Sequence, residues 1–170
     1  MSETLEPALP DHLDEQAERL MHKICDRELK LATAESCTGG MLAALLTDIE
    51  GCGHGFDRGF VTYSKAAKHE LLGVDRGLLD RNDAVSETVA RAMAEGALAR
   101  SSADLAIGVT GFAGPAGDGC EEGLVHFAVA RREGGTVHRE EHFGAAGRGP
   151  VRVKSLKVML EMLEEALEEA

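Results

Sequence analysis

The chain has 170 residues, of which 44% are hydrophobic and 28% are charged. This size and composition are typical of a globular domain that buries its core without disulfides. The 30 acidic residues against 18 basic ones give a net charge of −12. That balance argues against proteins that bind nucleic acids or anionic membranes, because both classes rely on clusters of Lys and Arg.

Targeting and cysteine patterns point to the cytoplasm. The four cysteines contain no C-x-x-C pair, so neither a zinc ribbon nor a thioredoxin-type site is indicated. The acidic N-terminus lacks the apolar stretch of a signal peptide, and no apolar run approaches the roughly 20 residues of a membrane span. We expect one cytoplasmic domain over residues 1–170, with residues 1–10 as a flexible extension and with reduced thiols.

Helices and strands alternate in the first two thirds of the chain. Hydrophobic spacing predicts helices over 11–28, 38–50, 64–73 and 86–102, and strands over 30–35, 58–64 and 104–111. Residues 51–55 read as a flexible connector. The strand at 104–111 is a continuous apolar run, which is typical of a strand buried on both faces of a sheet.

The last third adds a hairpin and a long helix. Strands over 123–132 and 136–143 flank Gly134-Gly135, which predicts an antiparallel pair. With the preceding alternation, this predicts an α/β protein, a three-layer α/β/α sandwich with a mixed sheet. The final helix, 149–170, carries leucines at 156, 160, 163 and 167. Such a stripe favours core packing over an oligomer seam.

The sequence "HREEH" at 138–142 matches the H-x-x-E-H pattern of one zinc-hydrolase class. That motif needs a helix, whereas the flanking Gly135 and Gly144 and the β-branched residues between them favour a strand. In a strand, His138 and His142 lie roughly 13 Å apart, too far for one ion to bind both. We therefore expect no metal site and no cofactor.

The segment "AESCTGG" at 34–40 joins a predicted strand to a predicted helix. Amides at a helix start carry a partial positive charge, so a nucleophile placed there has its developing anion stabilised. Cys37 could be a thiolate of lowered pKa in this setting, yet no histidine stands in an obvious partner motif. Ser36 is a weak nucleophile unless a base removes its proton.

The segment "YSKAAK" at 63–68 offers such a base. A lysine in a partly desolvated cleft can lose its proton near neutral pH, which would suit Lys68. From the residues alone, however, a surface position for Lys68 and a packing role for Tyr63 are the commoner outcomes.

A glycine-rich loop, "GFAGPAGDG" at 111–119, follows the buried strand. It matches neither a P-loop nor a dinucleotide-binding fingerprint. Loops at the carboxyl ends of strands often hold ligands, and their amides can cradle a phosphate or an oxyanion. A plain surface turn is an equally open interpretation of this segment.

Several stretches occur in a fixed order: "AESCTGGMLAALLTDIEG", "RGFVTYSKAAK", "HELLGV", "AVSETVARAMAEGA", "ADLAIGVTGFAGP" and the basic "GRGPVRVK". In this order, across roughly residues 30–160, they resemble the CinA C-terminal-domain family, the nicotinamide-mononucleotide deamidases, in its stand-alone form. The resemblance implies hydrolysis of nicotinamide mononucleotide to nicotinic acid mononucleotide and ammonia, with no cofactor. We also expect a homo-oligomer, whose subunit number the sequence does not give.

The resemblance also assigns roles to residues. It implies that Ser36 is the nucleophile and that Tyr63 and Lys68 assist it. Arg suits bidentate contact with phosphate, so Arg148 and Arg152 are candidate phosphate ligands, although both could equally be surface charges. The predicted substrate-binding set is Thr38, Gly39, Gly40, Thr110, Gly111, Gly114, Arg148 and Arg152.

The chain departs from the family pattern at two places. The loop at 115–123 is shorter than in the usual family pattern, lacks its Lys-Pro pair and is followed by Leu124 where Thr is usual. In the second place, Lys65 and Ala66 replace the usual Asn-Glu pair. Two alternatives stay open at this point. One is a hydrolase that uses Cys37, and the other is a nucleotide-binding module that is catalytically inactive or has altered specificity, which the altered loop favours.

Overall fold

The computed structural model describes residues 9–169. Residues 1–8 of the predicted N-terminal extension lie outside this range. Leu9, which was expected in that extension, is buried in the main core.

Five strands form one mixed sheet, as the sequence predicts. They are β1 (Leu31–Glu35), β2 (Phe56–Val61), β3 (Leu105–Gly111), β4 (Leu124–Arg131) and β5 (Thr136–His142). Their spatial order is β2-β1-β3-β4-β5. β1 runs parallel to both of its neighbours, whereas β4 and β5 form the antiparallel hairpin. β1 is thus an interior strand, and its carboxyl end opens between two parallel neighbours.

Helices cover both faces of the sheet, which confirms the α/β/α sandwich. They are α1 (Asp11–Asp26), α2 (Met41–Thr47), α3 (Lys65–Leu72), α4 (Arg76–Leu79), α5 (Glu87–Ala99) and α6 (Arg148–Glu168). α1, α2 and α6 pack on one face, and α3, α4 and α5 pack on the other. No helix among residues 9–169 is long and apolar enough to cross a membrane.

The two faces of the sheet differ in side-chain size. Large side chains such as Leu31 and Phe127 face the α1–α2–α6 layer, and small residues such as Ala32 and Gly108 face α5. A Cβ on Gly108 would lie 2.6 Å from the carbonyl oxygen of Ala90, so the backbone of α5 approaches the sheet closely. The alternation of large and small residues along β1 and β3 already encodes this asymmetry.

The structure corrects several predicted boundaries. α2 begins at Met41 rather than at residue 38, because Gly39 and Gly40 adopt positive φ angles of 63° and 94° that a helix cannot contain. β2 ends at Val61, so Tyr63 lies past the strand and not at its end. The short helix α4 was not predicted.

Two interpretations from the sequence are confirmed. The leucine stripe of α6 is fully buried in the main core, so it packs within the chain. The "HREEH" segment is a strand, and His138 hydrogen-bonds through Nε2 to Nδ1 of His126 at 3.0 Å. Within residues 9–169, no group of three His, Cys, Asp or Glu residues is placed to hold a metal ion.

Candidate active site

Ser36 is the first residue after β1 and is held by both neighbouring strands. Its amide donates to the carbonyl of Val109 on β3 at 3.2 Å. The amide of Thr62, one residue past the end of β2, donates to the carbonyl of Glu35 at 2.8 Å. The hydrogen bonding between β1 and the β2 segment therefore continues beyond the end of β2. Hydrogen bonds on both sides therefore fix the backbone where the candidate nucleophile is presented.

Lys68 contacts Ser36 directly. Ser64 caps α3 by accepting a hydrogen bond from the amide of Ala67, which starts the helix just after β2 and turns Lys68 inward. The Nζ of Lys68 lies 2.8 Å from the Oγ of Ser36, and the lysine is only 3% exposed. The structure thus brings together the two residues that the resemblance pairs.

The surroundings of Lys68 favour loss of its proton. Burial, with a further contribution from the charge of Lys65, lowers the pKa of Lys68 from 10.5 to about 8. Roughly a tenth of the lysine is then neutral at pH 7. The carbonyls of Thr62 and Tyr63 accept from Nζ at 3.1 and 3.4 Å. In the neutral amine these carbonyls take two N–H groups, which leaves the lone pair directed at Ser36.

Cys37 has the opposite character to a reactive thiolate. The thiol is 4% exposed and packs in the main core, and burial raises its pKa to about 12. A thiol with that pKa is protonated at neutral pH and is a poor nucleophile. The expectation of a lowered pKa is therefore wrong, because desolvation outweighs the fields of the nearby cations.

Glu35 is a buried carboxylate that the sequence reasoning missed. It accepts hydrogen bonds from the hydroxyl of Thr38 at 2.6 Å and from the amides of Leu42 and Ala43 at 3.1 and 2.8 Å. The amides that start α2 thus bind a carboxylate inside the protein instead of facing the cavity as expected. Thr38 is fully buried in this network and lies away from the cavity surface.

Arg152, a predicted phosphate ligand, holds the backbone next to the candidate nucleophile, Ser36. Its Nε donates to the carbonyl of Cys37 at 2.7 Å, and its guanidinium lies beside Gly39. Gly39 and Gly40 supply the left-handed backbone that this turn needs. Neither these glycines nor Arg152 is among the residues that line the cavity.

The position of Arg152 leads to a testable prediction. Arg152→Met, which keeps the bulk of the side chain but removes the donor, is expected to lower kcat about tenfold, because the turn that presents Ser36 loses a charged hydrogen bond. KM should change less than about twofold, and Arg152→Lys should recover part of kcat. Steady-state kinetics separate the two roles: a rise in KM at constant kcat would instead support the phosphate role.

A cavity of about 210 Å³ opens above Ser36 and Lys68. The predicted site residues that line it are Ser36, Tyr63, Lys68, Thr110, Gly111, Gly114 and Arg148. The alternative nucleophile Cys37 also lines it, together with Asp83, Val85, Phe112, Ala113 and Pro115. The side chain of Tyr63 is 63% exposed, and it forms part of the rim rather than the floor.

The glycine-rich loop after β3 forms one wall of this cavity. The guanidinium of Arg148, at the start of α6, packs against Gly114, where a Cβ would lie 2.8 Å from Nη2. A glycine at 114 therefore lets the cation approach the loop. Arg148 is exposed at the cavity and is able to meet an anionic ligand.

A second wall is a strained turn that the sequence reasoning also missed. Asp83 and Ala84 both adopt positive φ angles, 50° and 63°, which are uncommon for residues other than glycine. The hydroxyl of Thr110 donates to the carbonyl of Ala84 at 2.8 Å, and Lys65 pairs with Asp83 at 3.5 Å. Two contacts from outside thus hold the turn of Asp83 and Ala84 beside the cavity, and such contacts are needed for a strained turn to persist.

The fold and this site define an α/β protein with a buried serine–lysine pair at the carboxyl end of an interior parallel strand. The profile of the CinA C-terminal domain family matches residues 13–167. The chain belongs to the CinA C-terminal domain family.

Individual relatives agree with this assignment. The chain is 48% identical over 124 residues to a nicotinamide-nucleotide amidohydrolase, PncC, of Enterobacter agglomerans, covering 72% of this chain and 75% of that protein. It is 49% identical over 139 residues to a CinA-like protein of Mycolicibacterium vanbaalenii, covering 81% of this chain and 33% of that protein. The chain thus spans only about a third of the latter relative's length.

A solved structure confirms the fold. The competence/damage inducible protein CihA from Agrobacterium tumefaciens superposes with a TM-score of 0.89 at 43% sequence identity. The alignment covers 94% of this chain and 98% of that one.

Proposed function

We propose that this protein is a serine amidohydrolase that converts nicotinamide mononucleotide to nicotinic acid mononucleotide and ammonia, a step in the pyridine nucleotide cycle. The observation that carries the proposal is the 2.8 Å contact between Ser36 and a buried Lys68 whose pKa is lowered to about 8. The similarity to PncC of Enterobacter agglomerans supports the substrate class.

In the first half of the reaction, neutral Lys68 removes the proton of the Ser36 hydroxyl as its Oγ attacks the carboxamide carbon. The C=O bond opens to a tetrahedral oxyanion. The lysine then returns the proton to the carboxamide nitrogen, the C–N bond breaks, and ammonia leaves an ester on Ser36. Each proton taken from the serine is therefore carried by Lys68 to the leaving group.

In the second half, water replaces the serine as nucleophile. Neutral Lys68 takes a proton from water, hydroxide adds to the ester carbon, and the C–O bond to Ser36 breaks. The serine regains its proton from the lysine, and the acid leaves as a carboxylate with release of one proton. The low exposure of Lys68 keeps bulk water from competing for its lone pair.

Binding roles follow from the cavity walls. We assign stabilisation of the oxyanion to the backbone amides of Ala113 and Gly114, because the amides that start α2 already donate to Glu35. Arg148 is the proposed phosphate ligand. The backbone carbonyl of Tyr63 orients Lys68. The exposed ring of Tyr63, at the rim of the cavity, is placed to contact the substrate or to relay a proton.

Ammonia release from nicotinamide mononucleotide tests this function. Wild-type protein and Cys37→Ala should release ammonia at similar rates, and Ser36→Ala should release none above the uncatalysed background. Full activity of Ser36→Ala would exclude the serine mechanism. Loss of activity in Cys37→Ala, with Ser36→Ala active, would support a cysteine hydrolase instead.

The second candidate is a nucleotide-binding module without turnover, which the departure of the 115–123 loop from the family pattern favours. Such a protein would bind nicotinamide mononucleotide in calorimetry while wild-type and Lys68→Met protein both release no ammonia. Measurable turnover that requires Ser36 excludes it.

The pKa of Lys68 predicts the pH dependence of the reaction. Since the base must be neutral, kcat/KM should rise with pH through an apparent pKa of about 8 and then level off. Lys65→Gln removes a nearby positive charge, so the midpoint should move to higher pH. A profile that is flat between pH 6 and 9 would contradict a lysine base.

A further inference from the structure

A second cavity of about 330 Å³ lies beside the catalytic one and shares none of its lining residues. It lies between α3 and α4 and is lined by Lys65, Ala66, His69, Arg76, Leu79 and Asp80.

The polar part of this cavity is basic. Lys65 and His69 lie one turn apart on α3, and Arg76 faces them from α4, against the single carboxylate of Asp80. The whole chain carries a net charge of −12, so a cavity with two cations, Lys65 and Arg76, against one carboxylate runs against the overall charge. Lys65 and Arg76 carry charged donors of the kind that bind the oxygens of a phosphate group.

The imidazole of His69 is held in place by a backbone carbonyl. Its Nδ1 lies 2.9 Å from the carbonyl oxygen of Val74, and because a carbonyl only accepts, Nδ1 carries a hydrogen.

The rest of the lining is apolar. Ala66 and the buried Leu79 supply carbon surface beside the cations. A cavity with a basic side and an apolar side fits a small phosphate ester better than it fits a bare inorganic ion.

One ion pair joins this cavity to the catalytic one. Lys65 lines the second cavity, and its Nζ pairs at 3.5 Å with Asp83, which lines the catalytic cavity. An anion that takes Lys65 would leave the carboxylate of Asp83 unpaired beside the site for the anionic substrate. Both side chains are partly exposed, 43% and 65%, so the resulting repulsion is small.

We infer that the cavity formed by Lys65, His69 and Arg76 binds a phosphate-bearing small molecule, and that its occupation weakens substrate binding through the Lys65–Asp83 pair. Binding itself does not depend on the proposed function. The effect on the substrate does rest on it.

The binding test is a titration of ¹⁵N-labelled full-length protein with inorganic phosphate, followed by amide chemical shifts. Saturable shifts should centre on residues 65–80. Arg76→Gln should weaken binding about fivefold or more, as expected for the loss of one charged phosphate contact. The matched control is Arg81→Gln, which removes an exposed arginine outside the cavity and should change affinity less than about twofold.

Two results of this titration would overturn the inference. One is a set of shifts confined to residues 110–115 and 148, which would place the anion in the catalytic cavity alone. The other is an equal loss of affinity in Arg76→Gln and Arg81→Gln, which would reduce the effect to general charge.

The kinetic test measures KM for nicotinamide mononucleotide with and without phosphate. In wild-type protein, phosphate should raise KM. In Arg76→Gln this rise should be about two- to threefold smaller, and KM measured without phosphate should be unchanged. An identical rise in both proteins would show competition in the catalytic cavity only and would overturn the coupling. Absence of any ammonia release would contradict the proposed function, and the shift titration would still decide the binding site.

Discussion

Lys68→Met is expected to lower kcat/KM for ammonia release by about three orders of magnitude, because Ser36 loses the only base in contact with its hydroxyl among the described residues. Methionine keeps most of the volume of the side chain and carries no charge. Substrate affinity, measured by calorimetry, should change little. The initial rate of ammonia release checks the prediction.

A stability measurement serves as the control for this variant. The pKa of Lys68 is lowered from 10.5 to about 8 in the folded state, so the folded protein carries the full cost of the buried charge below pH 8. That cost is relieved as pH rises from about 8 to 10.5. The free energy of unfolding of the wild type should therefore rise by about 3 kcal/mol relative to Lys68→Met across this window. If the free energies of unfolding of the two proteins changed in parallel with pH, the pKa of Lys68 would not be lowered in the folded state.

Glu35→Ala is expected to give the largest loss of stability of any single change at the site. It leaves the hydroxyl of Thr38 and the amides of Leu42 and Ala43 without their acceptor in the protein interior. Stranding these donors should cost about 3 kcal/mol, which corresponds to a fall in Tm of about 6–12 °C for a domain of this size. Thermal unfolding followed by circular dichroism measures it.

Glu35→Gln is the matched variant. Its amide oxygen can still accept from the start of α2, so it should recover at least half of the lost stability. Its kcat should nonetheless stay below the wild-type value, because the amide NH₂ group faces donors and displaces the turn that carries Ser36. Equal stability of the alanine and glutamine variants would show that the hydrogen bonds of Glu35 contribute nothing.

Local patterns were sufficient to predict the fold. The alternation of apolar strands with amphipathic helices, and the hairpin at Gly134-Gly135, predict the mixed sheet between two helical layers that the structure contains. The errors lie where backbone conformation departs from the pattern. Gly39 and Gly40 delay the start of α2, and the four residues of α4 are too few to show a helical period.

The site could be predicted only in part. The order of the motifs that resemble the family indicated the Ser36–Lys68 pair, and the structure brings the two residues together. The contact of Arg152 with the carbonyl of Cys37 spans 115 residues of sequence, and no local pattern encodes it. The direction of the Cys37 pKa shift was missed because it depends on burial in the core, which the turn sequence alone does not reveal.

Glu35 had a sequence signal that the reasoning did not use. A carboxylate a few residues before a helix start can accept from the free amides of the first turn.

The central claim is that Ser36 forms an ester with the substrate's acyl group, and trapping that ester tests it most directly. Wild-type protein mixed with nicotinamide mononucleotide and quenched in acid within milliseconds should show, by intact mass spectrometry, an adduct equal to the substrate minus ammonia. Cys37→Ala should show the same adduct, and Ser36→Ala should show none. An adduct that persists in Ser36→Ala and disappears in Cys37→Ala would contradict the serine mechanism.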